Sequence, residues 1–383
     1  MVLKTSITKY VKQAMQSKVS FFMPGFYGGG GEKAMIEIAK EFSKKRINVE
    51  IVVVKNEGEL KKEVPKNIEV KNLKKSKIIL SVVPLMRYLR QKSPSAIIGA
   101  MTTTNNVLYT AAQLSGYDGG LILCEQNNFS SNLRKHGWVK RHFLEYASRL
   151  SYNKCDNTIA VSKGVKNNLN KYLNINADNI SVVYNPVVNS KTFDKAKETV
   201  NVKWFDQSKK IIIAVGSMTE QKDFPTLLKA FNMVSSSKEV LLVVLGEGPG
   251  RQKLTKLAKA LNIENKVIMP GYVSNPIKYM ANADVFVLSS KWEGLPFVLV
   301  EALASGCPVI STDCPSGPEE ILRGGKLGRL VPVTDERSLA EAILDTLKSP
   351  NSSADKKRRI RRAKDFSVQA AARKYWSIVE QYV

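Results

Sequence analysis

The stretch Ser289-Ser290-Lys291-Trp292-Glu293-Gly294-Leu295-Pro296-Phe297-Val298-Leu299-Val300-Glu301-Ala302 follows the apolar run 285–288 and decides how the chain reads. Four apolar residues bounded by polar ones give a short buried strand. Gly294 allows a turn, and Pro296 suits the first turn of a helix, where its missing N–H costs nothing. Strand, tight loop and helix entrance are half of a βαβ unit, and repeated units of this kind make α/β proteins with parallel sheets. The amides around Leu295 to Val298 lie at a helix amino end, which favours anions. Glu293 before the turn and Glu301 within the helix space two carboxylates along an extended polyol, as acceptors for vicinal sugar hydroxyls. The same pair also reads as a helix-dipole acid and a solvated glutamate, or as the two carboxylates of a glycosidase, which must flank one bond.

Working outward, the same alternation recurs in two series. Strands are expected at 19–23, 49–54, 96–99, 120–124, 158–161 and 180–184, and again at 210–215, 240–245, 266–269, 285–288, 308–311 and 328–331. Asn185-Pro186-Val187-Val188-Asn189-Ser190 and the polar stretch after it are the linker candidate. Two doubly wound halves fit the 383 residues at about 150 residues per domain. Ligands of open α/β sheets bind beyond the carboxyl ends of the strands, so site residues are sought in loops after strands.

Two such loops stand out. After the first strand comes Pro24-Gly25-Phe26-Tyr27-Gly28-Gly29-Gly30-Gly31-Glu32 and a helix-period run. Consecutive glycines at a helix entrance let backbone amides approach phosphate or sugar oxygens; the alternative is a turn needed only for packing. The spacing is not Gly-x-Gly-x-x-Gly and no acidic residue follows the second strand in the dinucleotide position, which argues against NAD. After strand 210–215 the chain reads Gly216-Ser217-Met218-Thr219-Glu220-Gln221-Lys222-Asp223. Lys222 there is a point charge suited to a diphosphate, or a solvated surface lysine.

Composition sets the class. Apolar residues make up 43% and charged residues 24%, which excludes fibrous and disordered chains. No apolar run reaches the ~18 residues of a spanning helix. Lys plus Arg number 59 against 34 Asp plus Glu, so the net charge of +25 points to an anionic partner: nucleic acid, a membrane surface or a phosphorylated substrate. Cys124, Cys155, Cys307 and Cys314 have no metal-ligand spacing and read as reduced. The first 18 residues lack the apolar core of a secretory signal, and the expected compartment is the cytoplasm.

The glycine loop, the 216–225 loop, Leu245-Gly246-Glu247-Gly248-Pro249, Pro270-Gly271-Tyr272-Val273, the Glu293 to Glu301 element and Asp313-Cys314-Pro315-Ser316-Gly317-Pro318-Glu319-Glu320 together resemble glycosyltransferase family 4, retaining nucleotide-sugar enzymes of the GT-B fold. The resemblance covers almost the whole chain. It is greatest to members that extend lipid-linked glycans for capsule, O-antigen or protein glycosylation.

What the resemblance implies is specific. The fold is α/β, two Rossmann-like domains facing across a cleft: a basic amphipathic segment over 1–17, an acceptor domain over 18–190, a linker over 191–208, a donor domain over 209–365, and a last helix over 366–383 crossing back to the first domain. Glu301 holds the donor ribose, Glu293 and the amides of Gly294, Leu295, Pro296 and Phe297 the transferred sugar, Lys222 the diphosphate, and the Tyr272-Val273 backbone the base. Gly29 and Gly30 approach the diphosphate and sugar. Ser217 stands where many members carry an arginine, and Gln126 where many carry a histidine, so Gln126 offers a hydrogen bond and no proton relay. Catalytic roles fall to Glu293, Lys222 and Gln126. The implied reaction moves a hexose or N-acetylhexosamine, with retention, from a nucleotide-sugar, expected to be a UDP-sugar, to a lipid-linked glycan. No cofactor and no obligatory metal are expected.

The charge has its own pattern. No acidic residue occurs from Lys71 to Tyr117, and Lys74, Lys75, Lys77, Arg87 and Arg90 surround an apolar run at 78–89. Arg134 and Lys135 lie beside Trp138. Basic residues around an apolar face suit an anionic bilayer, although such faces also pack into cores. A peripheral place on the cytoplasmic face of a membrane follows. The basic run 356–364 reads as a solvated helix. Competing readings are a soluble transferase with a soluble acceptor and, more distantly, a nucleic-acid-binding protein, for which no groove-entering helix or stacking platform is evident.

Overall fold

The computed structural model describes residues 17–45, 47–205, 208–236 and 238–383. The amino-terminal amphipathic segment expected over 1–17 lies almost wholly outside them. The chain divides into two units: one runs to Pro186 and includes Val368–Val383, and the other spans Val187–Ser367.

The first unit holds the strands β1 (Lys18–Met23), β2 (Asn48–Val53), β3 (Glu69–Asn72), β4 (Ala96–Ala100), β5 (Gly120–Glu125), β6 (Asn157–Ala160) and β7 (Ile180–Val182). They form one parallel sheet in the order β3-β2-β1-β4-β5-β6-β7. Strands β4 and β5 are buried throughout, as strands covered on both faces must be. Strand β3 is absent from the sequence expectations. Its Glu-Val-Lys-Asn can be largely polar because it is an edge strand, paired only to β2 and alternately exposed and half-buried.

The last helix, Val368–Val379, belongs to this unit and packs on the helix Gly30–Lys44. Trp376 meets Phe42 edge-on at 5.6 Å, and the Tyr375 hydroxyl lies 3.2 Å from the Cys124 sulfur. Burial pushes the Cys124 thiol up to about 12, so it stays protonated and inert.

The second unit holds β8 (Lys210–Val215), β9 (Val240–Leu245), β10 (Val267–Gly271), β11 (Val285–Leu288), β12 (Val309–Thr312) and β13 (Arg329–Val331), in the order β10-β9-β8-β11-β12-β13. Its core is Val, Leu and Ile from these strands packed on Leu227, Phe231 and Val234 of the helix Phe224–Ser235 and Leu339 and Ile343 of the helix Glu336–Lys348.

The stretch 191–208, expected as a linker, falls inside this unit. It opens in the helix Ser190–Lys195, whose Lys195 carbonyl accepts from Asn275 at 3.1 Å. Trp204 stacks on Tyr279 at 5.2 Å. Two aromatic residues in a polar stretch supply enough apolar area to hold it down.

In both sheets the order reverses direction once, between β1 and β4 and between β8 and β11. At such a switch point the loops after adjacent strands diverge and leave a crevice beyond the carboxyl ends.

Candidate functional site

The second unit places Lys222 and Glu293 at its switch point, one after β8 and one after β11. Lys222 Nζ lies 2.6 Å from Glu293 Oε1, with both side chains largely buried. Ser290 donates its hydroxyl to the same oxygen at 2.6 Å, and Gln221 Nε2 donates to Oε2 at 3.3 Å. A buried carboxylate needs this set of partners, because a buried charge without them is costly. The lysine's loop is held by the one that carries Glu293: the Ser289 hydroxyl donates to the Lys222 carbonyl at 2.7 Å, and the Lys291 amide to that of Gln221 at 2.8 Å. Gly216 gives the lysine stem its room, since a Cβ there would sit 3.2 to 3.4 Å from Lys222 carbons. Ser217 beside it is exposed.

The helix after Glu293 spans Phe297–Ser305, with Pro296 as its N-cap. Amides of Leu299 and Val300 bond to the Pro296 carbonyl, which leaves the first amides of the helix facing out. Glu301 is buried at the second turn. Gly294 does not adopt positive φ. The glycine that does is Gly317, at φ 100°, where a Cβ would stand 2.6 Å from Pro296 Cδ, so the loop 313–317 crosses tightly under the helix entrance. Glu293 N–H donates into this loop at the Pro315 carbonyl, 3.1 Å. Burial and the nearby Glu293 charge push the Cys314 thiol well above its ordinary range. Tyr272 is 72% exposed just beyond β10 and Val273 is half-buried.

The first unit is built differently. Gly28 takes φ 98°, and Gly29 and Gly30 are exposed at the entrance of the helix Gly30–Lys44. The Gly29 N–H is taken by Glu32 Oε2 at 2.7 Å. Burial raises the Glu32 pKa, opposed by the Gly29 and Tyr27 amides. Gln126 is buried after β5, with both ends of its amide engaged: Nε2 donates to Cys124 Sγ at 3.1 Å, and Oε1 accepts from Asn185 at 2.7 Å. Beneath it Glu125, wholly buried, accepts from Thr102 at 2.8 Å, from Tyr152 at 2.6 Å and from the amides of Gln126 and Asn127. Burial raises the Glu125 pKa despite these donors.

Several of these residues carry no role in the sequence reading: Ser290, Gln221, Gly317, Glu32 and Asn185. Ser290 and Gln221 stand inside quoted loops. A buried glutamate three residues from a serine is a pattern that becomes meaningful only once the loop bends back.

The basic positions of the first unit separate by role. Lys74, Lys77, Arg87, Arg134 and Lys135 are exposed and Lys75 is half-buried. Arg90 is spoken for: its guanidinium donates to the Leu114 and Ser115 carbonyls at 2.7 and 3.4 Å, capping the helix Thr102–Ser115. The expected single helix over 78–89 is a 3-10 turn, Ile78–Ser81, and then the helix Val82–Lys92, which buries Leu85, Tyr88 and Leu89. Ile79, Leu80 and Val83 are about half exposed, at 57, 52 and 49%. The helix Trp138–Lys154 exposes Trp138, Val139, Phe143 and Tyr146 along one face, at 75, 72, 64 and 66%. Both elements pack on the helix Thr102–Ser115, so they share one side of the sheet.

Among the described residues no group of three or more His, Cys, Asp or Glu converges as metal ligands, and no helix is long and apolar enough to cross a membrane.

Two family models match consecutive stretches: Glycosyltransferase Family 4 over residues 28–190 and Glycosyl transferases group 1 over 196–365. The chain belongs to glycosyltransferase family 4 and has the GT-B fold, and it spans about two thirds or less of the length of the curated relatives it matches. Among curated relatives it is 31% identical, over 66% of its own length and 65% of the relative's, to a Campylobacter jejuni N-acetylgalactosamine-N,N'-diacetylbacillosaminyl-diphospho-undecaprenol 4-alpha-N-acetylgalactosaminyltransferase. It is 28% identical, over 69% of its length and 68% of the relative's, to the Salmonella typhimurium lipopolysaccharide 1,6-galactosyltransferase. The Anabaena HepE protein, solved with UDP, shares the fold at a TM-score of 0.77 and 17% identity, covering 95% of this chain and 100% of that one.

Proposed function

We propose that the protein transfers a hexose or N-acetylhexosamine, with retention, from a UDP-sugar to a lipid-linked glycan. The observation that carries this reading is the Lys222–Glu293 pair at the switch point of the second unit, beside the open amides of a helix entrance. A cation and a helix amino end suit a diphosphate, and a fixed carboxylate suits sugar hydroxyls. The relatives support the substrate class: one by name acts on a diphospho-undecaprenol glycan, another on lipopolysaccharide, and HepE was solved with UDP.

In this reading the acceptor hydroxyl oxygen bonds to the anomeric carbon as the bond from that carbon to the diphosphate oxygen breaks on the same face. The hydroxyl proton passes to the leaving phosphate oxygen. The protein contributes position and charge stabilisation. Lys222 and the helix amides take up the charge of the leaving diphosphate, since Ser217 supplies no second cation. Glu293 then exchanges its lysine for donor hydroxyls, with Ser290 and Gln221 keeping it oriented. Glu301 receives the ribose and Tyr272 and Val273 the base, while Gly29 and Gly30 leave the helix entrance of the first unit free of side chains. Gln126, tied at both ends, positions rather than relays.

The acceptor presents itself at an anionic membrane. Trp138, Val139, Phe143 and Tyr146 with Ile79, Leu80 and Val83 form the apolar side, and Lys74, Lys77, Arg87, Arg134 and Lys135 the basic one. Aromatic residues favour the interfacial layer, and each lysine or arginine near an anionic surface contributes about 1 kcal/mol. Incubation with UDP-, GDP- and ADP-sugars, followed by slow donor hydrolysis, tests the donor. UDP-sugar turnover is expected, and hydrolysis of ADP-sugars alone would overturn that part. Sedimentation with anionic vesicles tests the surface. Binding that falls with salt is expected, and absence of binding favours a soluble acceptor.

A further inference from the structure

The second unit has another cation-rich region at the opposite ends of its strands. A cavity of about 270 Å³ opens where β12 and β13 begin, between the loop carrying Lys326 and the helix Ser353–Ala363. Its charged lining is Lys326, Arg329, Arg358, Arg359 and Asp355. Four cations face one carboxylate, and the ion pairs do not balance them. Arg329 reaches Asp345 at 3.2 Å and Arg358 reaches Asp355 at 3.5 Å. Lys326 and Arg359 have no ion pair among the described residues.

Arg359 is the unusual member. It is 8% exposed, in a helix whose sequence reads as solvated. Its Nε and Nη2 donate to the Gly306 carbonyl at 3.3 and 3.1 Å, and Nη2 also to Asn351. Burial lowers the guanidinium pKa, opposed in part by the Asp355 carboxylate one helical turn away. A buried guanidinium with no carboxylate at ion-pair distance is costly, and a bound anion would lower that cost. Neutral carbonyl partners fix its orientation without cancelling its charge.

We propose that this cavity is a second anion site, separate from Lys222, that takes the phosphate or diphosphate group of a small soluble compound. Arg359 is its floor, and Lys326 and Arg358 are its walls. Planar guanidinium groups suit phosphate oxygens through paired N–H donors, and lysine adds a point charge. The volume is just under the range usual for drug-sized ligands, which fits a phosphate-bearing group. No exposed large apolar residue lines the cavity, which separates it from a lipid surface. A neighbouring depression is lined by Arg323, Arg361 and Arg362 with Asp365, which pairs with Arg323 and Arg362 and leaves a net positive lining.

The test titrates inorganic diphosphate, at constant ionic strength, into the full chain by calorimetry. Four proteins are compared: the parent, Lys222→Gln, Lys326→Gln/Arg358→Gln, and the triple variant. Saturable binding near one equivalent is expected to survive Lys222→Gln and to weaken about tenfold or more when the wall pair is added to it. Melting curves check that the wall variants fold; their side chains are exposed, so they spare the Arg359 bonds to Gly306. Loss of all binding in Lys222→Gln alone would overturn the cavity site and leave the donor reading intact. So would equal residual binding with and without the wall pair, or displacement by chloride as effective as by phosphate. Unaltered binding capacity in Lys222→Gln, with loss only in the wall variants, would retain the cavity and overturn the donor site.

Discussion

The two sheets share one winding order, yet what stands beyond their switch points differs. The second unit presents a lysine and a carboxylate bonded to each other, with a serine and a glutamine in support. The first presents bare glycines, above amides and a carboxyl group whose bonds are all internal. In the second, charge is stored in a pair that a ligand can open. In the first, polar groups are used up in holding the loops, and the exposed surface of the glycine loop is backbone. The same fold therefore presents charge beyond one switch point and bare backbone beyond the other.

The comparison breaks most visibly at Lys222. Lys222→Met is expected to cut turnover by about 10² to 10³-fold, the scale of removing one charge-stabilising donor. It also leaves Glu293 buried with neutral partners, so the melting temperature falls. Breaking a buried pair costs about 3 to 5 kcal/mol, and the lower end applies because Lys222 retains some exposure. A variant of near-parental rate would remove the second unit's claim to the diphosphate.

Glu293→Gln sharpens the contrast. Turnover falls, but UDP affinity holds or rises about threefold, because the lysine no longer has a competing carboxylate. Calorimetry with free UDP decides, and a tenfold weakening would show that Glu293 holds the nucleotide directly.

Glycines give the next smaller effect. Gly317→Ala sets a Cβ at φ 100° and 2.6 Å from Pro296 Cδ, and should cost about 1 to 3 kcal/mol and weaken donor binding. Gly31→Ala meets the Gln126 side chain at 3.0 Å with no positive φ to strain, and should cost less than Gly317→Ala in the same melting experiment. A reversed order would mean that the glycine loop is the stiffer of the two.

The smallest effect is a pH dependence at Glu125. Its pKa is raised in the folded state, so its favourable contribution is complete below the ordinary carboxyl range and fades as pH rises through the folded value. Glu125→Gln has no such titration. Relative to the parent, its melting temperature should improve as pH rises above the ordinary carboxyl range; a relative decline would mean that the donors from Thr102 and Tyr152 favour the carboxylate more than burial opposes it.

Much of this was legible in sequence. Buried parallel strands are short apolar runs with sharp borders, and β8, β9 and β11 lie where the runs place them. The loops that follow them could be found for the same reason. Strand β3 could not, because its Glu-Val-Lys-Asn carries one apolar residue in four, unlike the edge strands β7, β10 and β13. Nor could the linker stretch, whose Trp204 and Phe205 pack on Tyr279 from 75 residues away in sequence or thereabouts. Lys222 and Glu293 each announce a charge in a loop, but their bond depends on β8 lying beside β11. Arg359 shows the limit most plainly: in a run of basic residues nothing in the sequence distinguishes it and Arg362, the two that turn inward, from the others.

The central claim is that the donor nucleotide is held by charge in the second unit and not by the amides of the first. Titrating UDP into the parent, Lys222→Met and Gln126→Ala tests it directly. The account predicts at least about tenfold weaker binding for Lys222→Met, with Gln126→Ala unchanged within about twofold. Parental affinity in Lys222→Met, or a loss confined to Gln126→Ala, would contradict it.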